Sequence, residues 1–180
     1  MTEPQRVAIY SAAYDRSSGA SHRLLRQAAQ LYAPSLTEPA LASGEHGKPY
    51  FPDAPQLYFS ISHSGERWLC AFSDAPVGLD VQQHRACQMQ ALAHRFFAPA
   101  EQKFLEQTAY APFFDLWCAK ESCLKYTGEG LSGLETVCTV SPEGGFPSVP
   151  GVSLRLLPLF TGYSACVCTA APAEVCVQSL

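Results

Sequence analysis

The chain lacks any apolar run approaching the ~18 residues of a membrane span. Its start, Met1-Thr2-Glu3-Pro4-Gln5-Arg6, lacks the basic-then-apolar layout of a secretion leader. It lacks a basic excess: 12 Lys+Arg stand against 16 Asp+Glu, a net charge of −4. That balance excludes a general nucleic-acid binder, which needs a basic footprint. Its eight cysteines include no C-x-x-C pair, and its five histidines no H-x-x-x-H pair. A zinc site is therefore not expected. No G-x-S-x-G elbow is present, which argues against a serine hydrolase. Basic residues are scarce at the C-terminal end. After residue 126 only Arg155 faces Glu129, Glu135, Glu143 and Glu174, whereas residues 1–126 hold 11 basic and 12 acidic residues. The first part can thus present a locally positive surface within an acidic total.

The chain has 180 residues, 47% of them hydrophobic. That is enough for one domain, or for two small halves sharing a core. The cysteines lie at 70, 87, 118, 123, 138, 166, 168 and 176, mostly among apolar neighbours. Without a secretion leader they read as reduced thiols that pack as small hydrophobes, which points to the cytoplasm.

Val7–Ala12 reads as a strand, and the spacing of Leu24, Leu25, Ala28, Leu31 and Tyr32 as a helix from Ser21. Leu57–Ile61, Trp68–Phe72 and Val77–Val81 read as short strands, with Ser62-His63-Ser64-Gly65 as a hairpin connection. Helices are expected over Gln88–Phe97, from Pro99, and from Pro112 to about Tyr126, the last ended by Gly128. Thr136–Val140, Val152–Leu157, Tyr163–Thr169 and Val175–Val177 read as strands. This order favours an α+β fold with mainly antiparallel sheet.

Four places carry candidate chemistry. Asp80 and Gln82 share one face of the Val77–Val81 strand and offer oxygen ligands to a hard cation such as Mg²⁺. Read alone, the segment is better explained as an alternating strand with one wet face. Trp117, Glu121 and Lys125 recur every four residues and so form one helix stripe. There a carboxylate can ligate metal or accept a proton, and a lysine can neutralise phosphate. An ordinary Glu–Lys helix pair beside a core tryptophan is the plain alternative. Ser62-His63-Ser64-Gly65 offers hydroxyls, an imidazole and turn amides to phosphate oxygens, or is simply a polar loop. Gly47-Lys48-Pro49 is a turn with a cation, most often a surface feature.

Read in order, Gly47-Lys48-Pro49, Ser62-His63-Ser64, Gly78-x-Asp80 and Trp117-x-x-Lys120-Glu121-Ser122-x-x-Lys125-x-x-Gly128-x-Gly130-Leu131 resemble the 4′-phosphopantetheinyl transferase superfamily, in its longer surfactin-synthetase-activating type. The resemblance runs from about Gly44 to Leu131 and continues weakly through Tyr163–Pro172. Ser21-His22-Arg23-Leu24-Leu25 resembles the family's first helix. It implies two similar α+β halves, about 1–83 and 84–180, as a pseudo-dimer within a monomeric chain, with the active site in the cleft between them. It implies transfer of the phosphopantetheinyl arm of coenzyme A to a serine of an acyl or peptidyl carrier protein, with Mg²⁺ required and adenosine 3′,5′-bisphosphate released. By resemblance, Asp80 and Glu121 are metal ligands, with Gln82 a weaker or water-mediated third. Glu121 also helps deprotonate the carrier serine, and Lys125 contacts the phosphate and assists departure of the nucleotide. Lys48, Ser62 and His63 grip the phosphates of coenzyme A, with Gly47, Pro49 and Ser64 beside them and Arg23 toward the nucleotide end. Arg23, Lys48, Lys120 and Lys125, with the metal, are expected to make the site locally positive.

Two features depart from the family pattern. Most members carry a second acid where this chain has Gln82, and a neutral amide is the weaker Mg²⁺ ligand. Basic residues that relatives carry before the first helix have no clear match. Gln82 therefore favours a rival, a non-catalytic module that binds coenzyme A or a carrier protein. A metal-dependent phosphodiesterase using Asp80 and Glu121 is a more remote one. No membrane or nucleic-acid partner is expected.

Overall fold

A computed structural model describes residues 4–37, 39–44, 46–130 and 133–180. Met1–Glu3 of the leader reading and Leu131 of the helical motif lie outside these described residues. The chain runs β1 (Arg6–Ala13), α1 (Ala20–Tyr32), β2 (Ala42–Ser43), β3 (Pro49–Tyr50), β4 (Tyr58–Ser64), β5 (Arg67–Ser73) and β6 (Gly78–Gln83). It continues α2 (Met89–Phe96), α3 (Pro99–Gln107), α4 (Phe113–Thr127), β7 (Ser153–Leu156), β8 (Tyr163–Thr169) and β9 (Glu174–Ser179). The fold is α+β with mainly antiparallel sheets, as the element order implies.

One sheet has the order β4-β5-β1-β9, another β6-β8-β7, and β2 and β3 form a short pair. All ladders are antiparallel except β1 with β9, where Arg6–Ser11 run beside Glu174–Ser179. A cut at residue 83 therefore does not separate the sheets. β6 pairs with β8 from the far end of the sequence, and β9 returns to β1.

The first sheet is buried on both faces, because its strands alternate between two apolar sets. Val7, Ile9, Leu69 and Ala71 face Leu79, Val81, Ala165 and Val167 of the second sheet. Tyr10, Trp68 and Phe72 face Leu25, Ala28 and Ala29 of α1. A separate core joins the helices through Ala93, Phe97, Leu105, Phe113 and Leu116. Leu31, placed by its spacing on the helical stripe, is 56% exposed, so the apolar stripe is narrower than the sequence suggests.

A row of serines joins the two large sheets. β4 and β6 are edge strands of different sheets. The backbone N–H groups of Leu79, Val81 and Gln83 donate to the hydroxyl oxygens of Ser60, Ser62 and Ser64 at 3.0, 3.1 and 3.0 Å. Alternate amides of a strand point to one edge, and alternate side chains to one face, so the two registers match. The hydroxyls satisfy amides that an edge strand would otherwise leave unpaired in a buried seam.

Two expectations are corrected. Ser62–Ser64 belong to strand β4 rather than to the hairpin connection, and the turn falls after Ser64 at Gly65, with φ +58°. Thr136–Val140 forms no strand. Its polar backbone is paired instead with buried side chains: the Thr139 N–H donates to Glu101 Oε1 at 2.8 Å, and the Val137 carbonyl accepts from Lys120 Nζ. A segment whose backbone partners lie on helices α3 and α4 has no need of a ladder.

Candidate active site

α4 delivers the helical stripe to the site. Pro112 precedes it and Gly128, with φ +82°, ends it. The helix lies close against β6 because Gly78 has no side chain. A Cβ there would stand 1.9 Å from the Ser122 carbonyl oxygen and 2.5 Å from the Tyr126 nitrogen. Trp117, Glu121 and Lys125 then face Asp80 and Gln82 across one cavity of about 590 Å³. Gly47, Lys48, Pro49, Ser62 and His63 also line it.

Asp80 is 5% exposed. Its Oδ1 accepts from the Ser62 hydroxyl and from Lys125 Nζ, both at 2.7 Å. Its Oδ2 is buried and accepts no hydrogen bond. The adjacent Cys118 thiol gives its one hydrogen to the Ser164 carbonyl at 3.3 Å. The Lys125 ammonium already offsets the charge of this carboxylate, and Oδ2 keeps unused acceptor capacity.

Glu121 is 8% exposed. Burial first, and then the negative charge of Asp80, push its pKa up from 4.5 to about 7, while Lys125 opposes the shift. Two partly unpaired carboxylates on facing elements fit a divalent cation. Asp80, Glu121 and the carbonyl oxygen of Gln82 are the groups able to hold Mg²⁺. Among the described residues no three acidic, histidine or cysteine side chains converge as a ready metal cage. An amide or water would have to complete the ligand set.

The other candidates divide. His63 stacks on Tyr14 at 4.4 Å between ring centroids, and burial and Lys125 lower its pKa. Lys48 reaches the cavity wall, but its Nζ donates to the carbonyl oxygens of Lys125, Tyr126 (3.4 Å) and Val77 (3.5 Å). It thus closes the C-terminal end of α4, where unpaired carbonyls collect. Burial lowers its pKa. Ser64 is used by the Gln83 amide and does not line the cavity.

Two basic residues do not line the cavity. Arg23 is turned to the loop before α1, donating to the Ser18 carbonyl and the Ser17 hydroxyl at 2.9 Å. Lys120 is fully buried away from the cavity, paired with Glu101 at 2.6 Å. It adds no charge to the cavity wall. The expectation of a positive site built partly from Lys120 is corrected accordingly. Neighbouring positions on a helix point about 100° apart, and here Lys120 is turned to Glu101 of α3 while Glu121 lines the cavity.

Sequence reasoning passed over His22 and His46, which line the cavity beside Ser21. His22 adjoins Arg23 in the quoted helix motif and His46 adjoins Gly47. Proximity to those motifs was the available signal. Both rest on elements whose facing direction the sequence left open.

A family model described as "4'-phosphopantetheinyl transferase superfamily" matches residues 76–168, just over half of the chain. The chain belongs to this superfamily. It is 43% identical over 94 residues to the 4'-phosphopantetheinyl transferase Sfp of Bacillus subtilis, covering 49% of this chain and 41% of that protein. It is 34% identical over 156 residues to the 4'-phosphopantetheinyl transferase psf-1 of Bacillus pumilus, covering 80% and 66%. It is 30% identical over 148 residues to the 4'-phosphopantetheinyl transferase AcpT of Salmonella typhi, covering 79% and 73%. The chain thus aligns with between two fifths and three quarters of the length of these relatives. No helix among the described residues is long and apolar enough to cross a membrane.

Proposed function

We propose that the protein transfers the 4′-phosphopantetheinyl group of coenzyme A to a serine of an apo acyl or peptidyl carrier protein. The observation that carries this reading is that Asp80, with one buried and unpartnered oxygen, Glu121 and Lys125 line one cavity. The serine oxygen forms a bond to the phosphorus that bears the pantetheine arm. The bond from that phosphorus to the bridging oxygen breaks, and adenosine 3′,5′-bisphosphate leaves with the bonding electrons.

The chain's own residues supply positioning and charge. Glu121 as carboxylate accepts the serine proton, and in the metal-free chain burial strengthens its hold on a proton. Lys125 faces the same carboxylates and neutralises charge that builds on the departing phosphate. His63, held flat against Tyr14, adds a donor at the cavity wall. Bound Mg²⁺ supplies neutralisation of the pyrophosphate oxygens. Asp80, Glu121 and Gln82 would hold it.

The two-half reading, about 1–83 and 84–180 with the site in the cleft between them, is part of this proposal. In its support, Ser62 and Asp80 come from residues 1–83, on β4 and β6, and Glu121 and Lys125 come from α4. The exchange of β6 and β9 would knit the halves together. A monomer working in the cytoplasm, with no nucleic-acid or membrane partner, completes the reading.

The experiment is incubation with apo carrier proteins, coenzyme A and Mg²⁺, followed by mass measurement of the carrier. A carrier gaining one phosphopantetheinyl group supports the proposal; unmodified carriers across a panel of acyl and peptidyl types refute it. Gln82 on the cavity wall favours one second reading, a module that binds coenzyme A without transfer. Binding of coenzyme A with no carrier modification would select it.

A further inference from the structure

We propose that Tyr14 is a positioning residue for His63, holding the imidazole in one plane at the cavity wall so that its ring N–H meets a phosphate oxygen of coenzyme A. The inference rests on the reading of this cavity as a phosphopantetheinyl-transfer site. It brings in the connection between β1 and α1, which carries none of the motif residues at its Tyr14 end.

β1, β5 and β4 lie side by side, and Ala12, Trp68 and His63 are register partners across them. Directly opposed side chains share a face, and Tyr14, two positions beyond Ala12, continues it. The Tyr14 and His63 rings stack with centroids 4.4 Å apart and planes 28° apart. Tyr14 is half-buried, packs on the core of Tyr10, Leu25, Trp68 and Phe72, and does not line the cavity. His63 is exposed and does line it. An exposed imidazole turns easily about its last torsion, whose minima are broad. A stacked neighbour removes that freedom and covers one face, which leaves the in-plane N–H as the group offered to an acceptor.

Tyr14 is itself held by bonds that need no ligand. Its amide donates to the Glu66 carbonyl at 2.9 Å, and Arg16 Nε donates to the Gly65 carbonyl at 3.2 Å. Both acceptors belong to the turn that follows the His63 strand. Arg16 has φ +58°, a conformation that costs a non-glycine residue energy and persists where its surroundings enforce it. The connection is thus clipped to the hairpin that carries His63, and the two rings are fixed to one another.

The same core contains a control. Tyr32 stacks on Phe72 at 5.1 Å, is half-buried like Tyr14, and does not line the cavity. Its removal damages the core and leaves His63 its neighbour.

The test measures coenzyme A binding to the whole chain by isothermal titration calorimetry, with circular dichroism to confirm folding. Tyr14→Ala should weaken binding about 3- to 10-fold, whereas Tyr14→Phe, which keeps the ring, and Tyr32→Ala should stay within about 2-fold of wild type. In a His63→Ala chain, Tyr14→Ala should add no further loss. Tyr14→Leu fills the space without an aromatic face. It keeps the experiment decisive should the alanine variant fail to fold, and should weaken binding in the same direction. In that variant the His63 ring protons, shielded by the stacked tyrosine in wild type, should move downfield in the NMR spectrum. The inference is overturned by unchanged affinity in the folded Tyr14→Ala or Tyr14→Leu chains, by an equal loss in Tyr14→Phe or Tyr32→Ala, by a Tyr14→Ala loss that persists in full without His63, or by unmoved His63 resonances. Carrier modification by the wild-type chain is scored separately. A wild-type chain that neither binds coenzyme A nor modifies a carrier removes the transfer reading and this inference with it, whereas transfer with any of the overturning results removes this inference alone.

Discussion

A carboxylate that keeps its proton to about pH 7 in the folded chain makes folding sensitive to pH. Glu121 binds a proton more tightly folded than unfolded, where its pKa is near 4.5. Its contribution is therefore fully present below pH 4.5 and is lost as pH rises through about 7. In EDTA, Glu121→Gln should be more stable than wild type at pH ~8, by on the order of 1–3 kcal/mol, and nearly equal at pH ~5. Urea unfolding at the two pH values checks this. A constant difference between the proteins would show that Glu121 does not titrate in that window. Lys120 makes the contrasting case. Glu101 accepts from Lys120, the Ala98 amide at 2.9 Å, and the Thr139 amide and hydroxyl, both at 2.8 Å. Lys120→Met should cost on the order of 3–5 kcal/mol, because it strands a buried charge, and Glu101→Gln in the same chain should recover part of that. A loss of coenzyme A affinity with stability unchanged would instead return Lys120 to the phosphate site. The stripe of Trp117, Glu121 and Lys125 was legible from a four-residue spacing. The role of Lys120 was not, since its partner lies 19 positions away on α3 and no local pattern announces it.

At the scale of elements, the approach of α4 to β6 decides whether the facing carboxylates meet. Gly78 permits that approach, and the atoms a Cβ would strike are helix backbone, which cannot swing aside. Gly78→Ala should therefore displace α4 or unfold the seam, with a loss on the order of 2–3 kcal/mol. The midpoint of urea denaturation measures it, and an unchanged midpoint would mean that α4 and β6 can separate freely. α1 followed from hydrophobic period, and α4 from its Pro112 start and Gly128 end. The serine seam did not. Ser60, Ser62 and Ser64 alternate as any half-wet strand does, and what they bond is another strand's amides rather than water. Thr136–Val140 misled for the same reason: its β-prone residues are held by the Glu101 and Lys120 side chains.

Across the whole molecule, chain order and spatial order diverge at β9. Six residues of β9 run parallel beside β1, the Leu180 amide donates to the Ser11 carbonyl at 2.9 Å, and Val175 packs on the core shared by the two large sheets. Removing residues 174–180 leaves β1 as an exposed edge and opens that shared core, whereas α2, α3 and α4 keep their own core around Phe97, Leu105 and Phe113. The truncated chain should therefore lose amide-exchange protection first in β1 and β5, and only then in α4. Val7 and Ile9 touch Leu79 and Val81 in one cluster, so the loss should also reach β6 and with it Asp80. Hydrogen exchange read by mass spectrometry follows each segment. Retention of protection in β1 with loss confined to the helices would show that β9 is an ornament on the sheet. Loss in β1 and β6 would show that the last strand supports the carboxylate site from the opposite end of the chain.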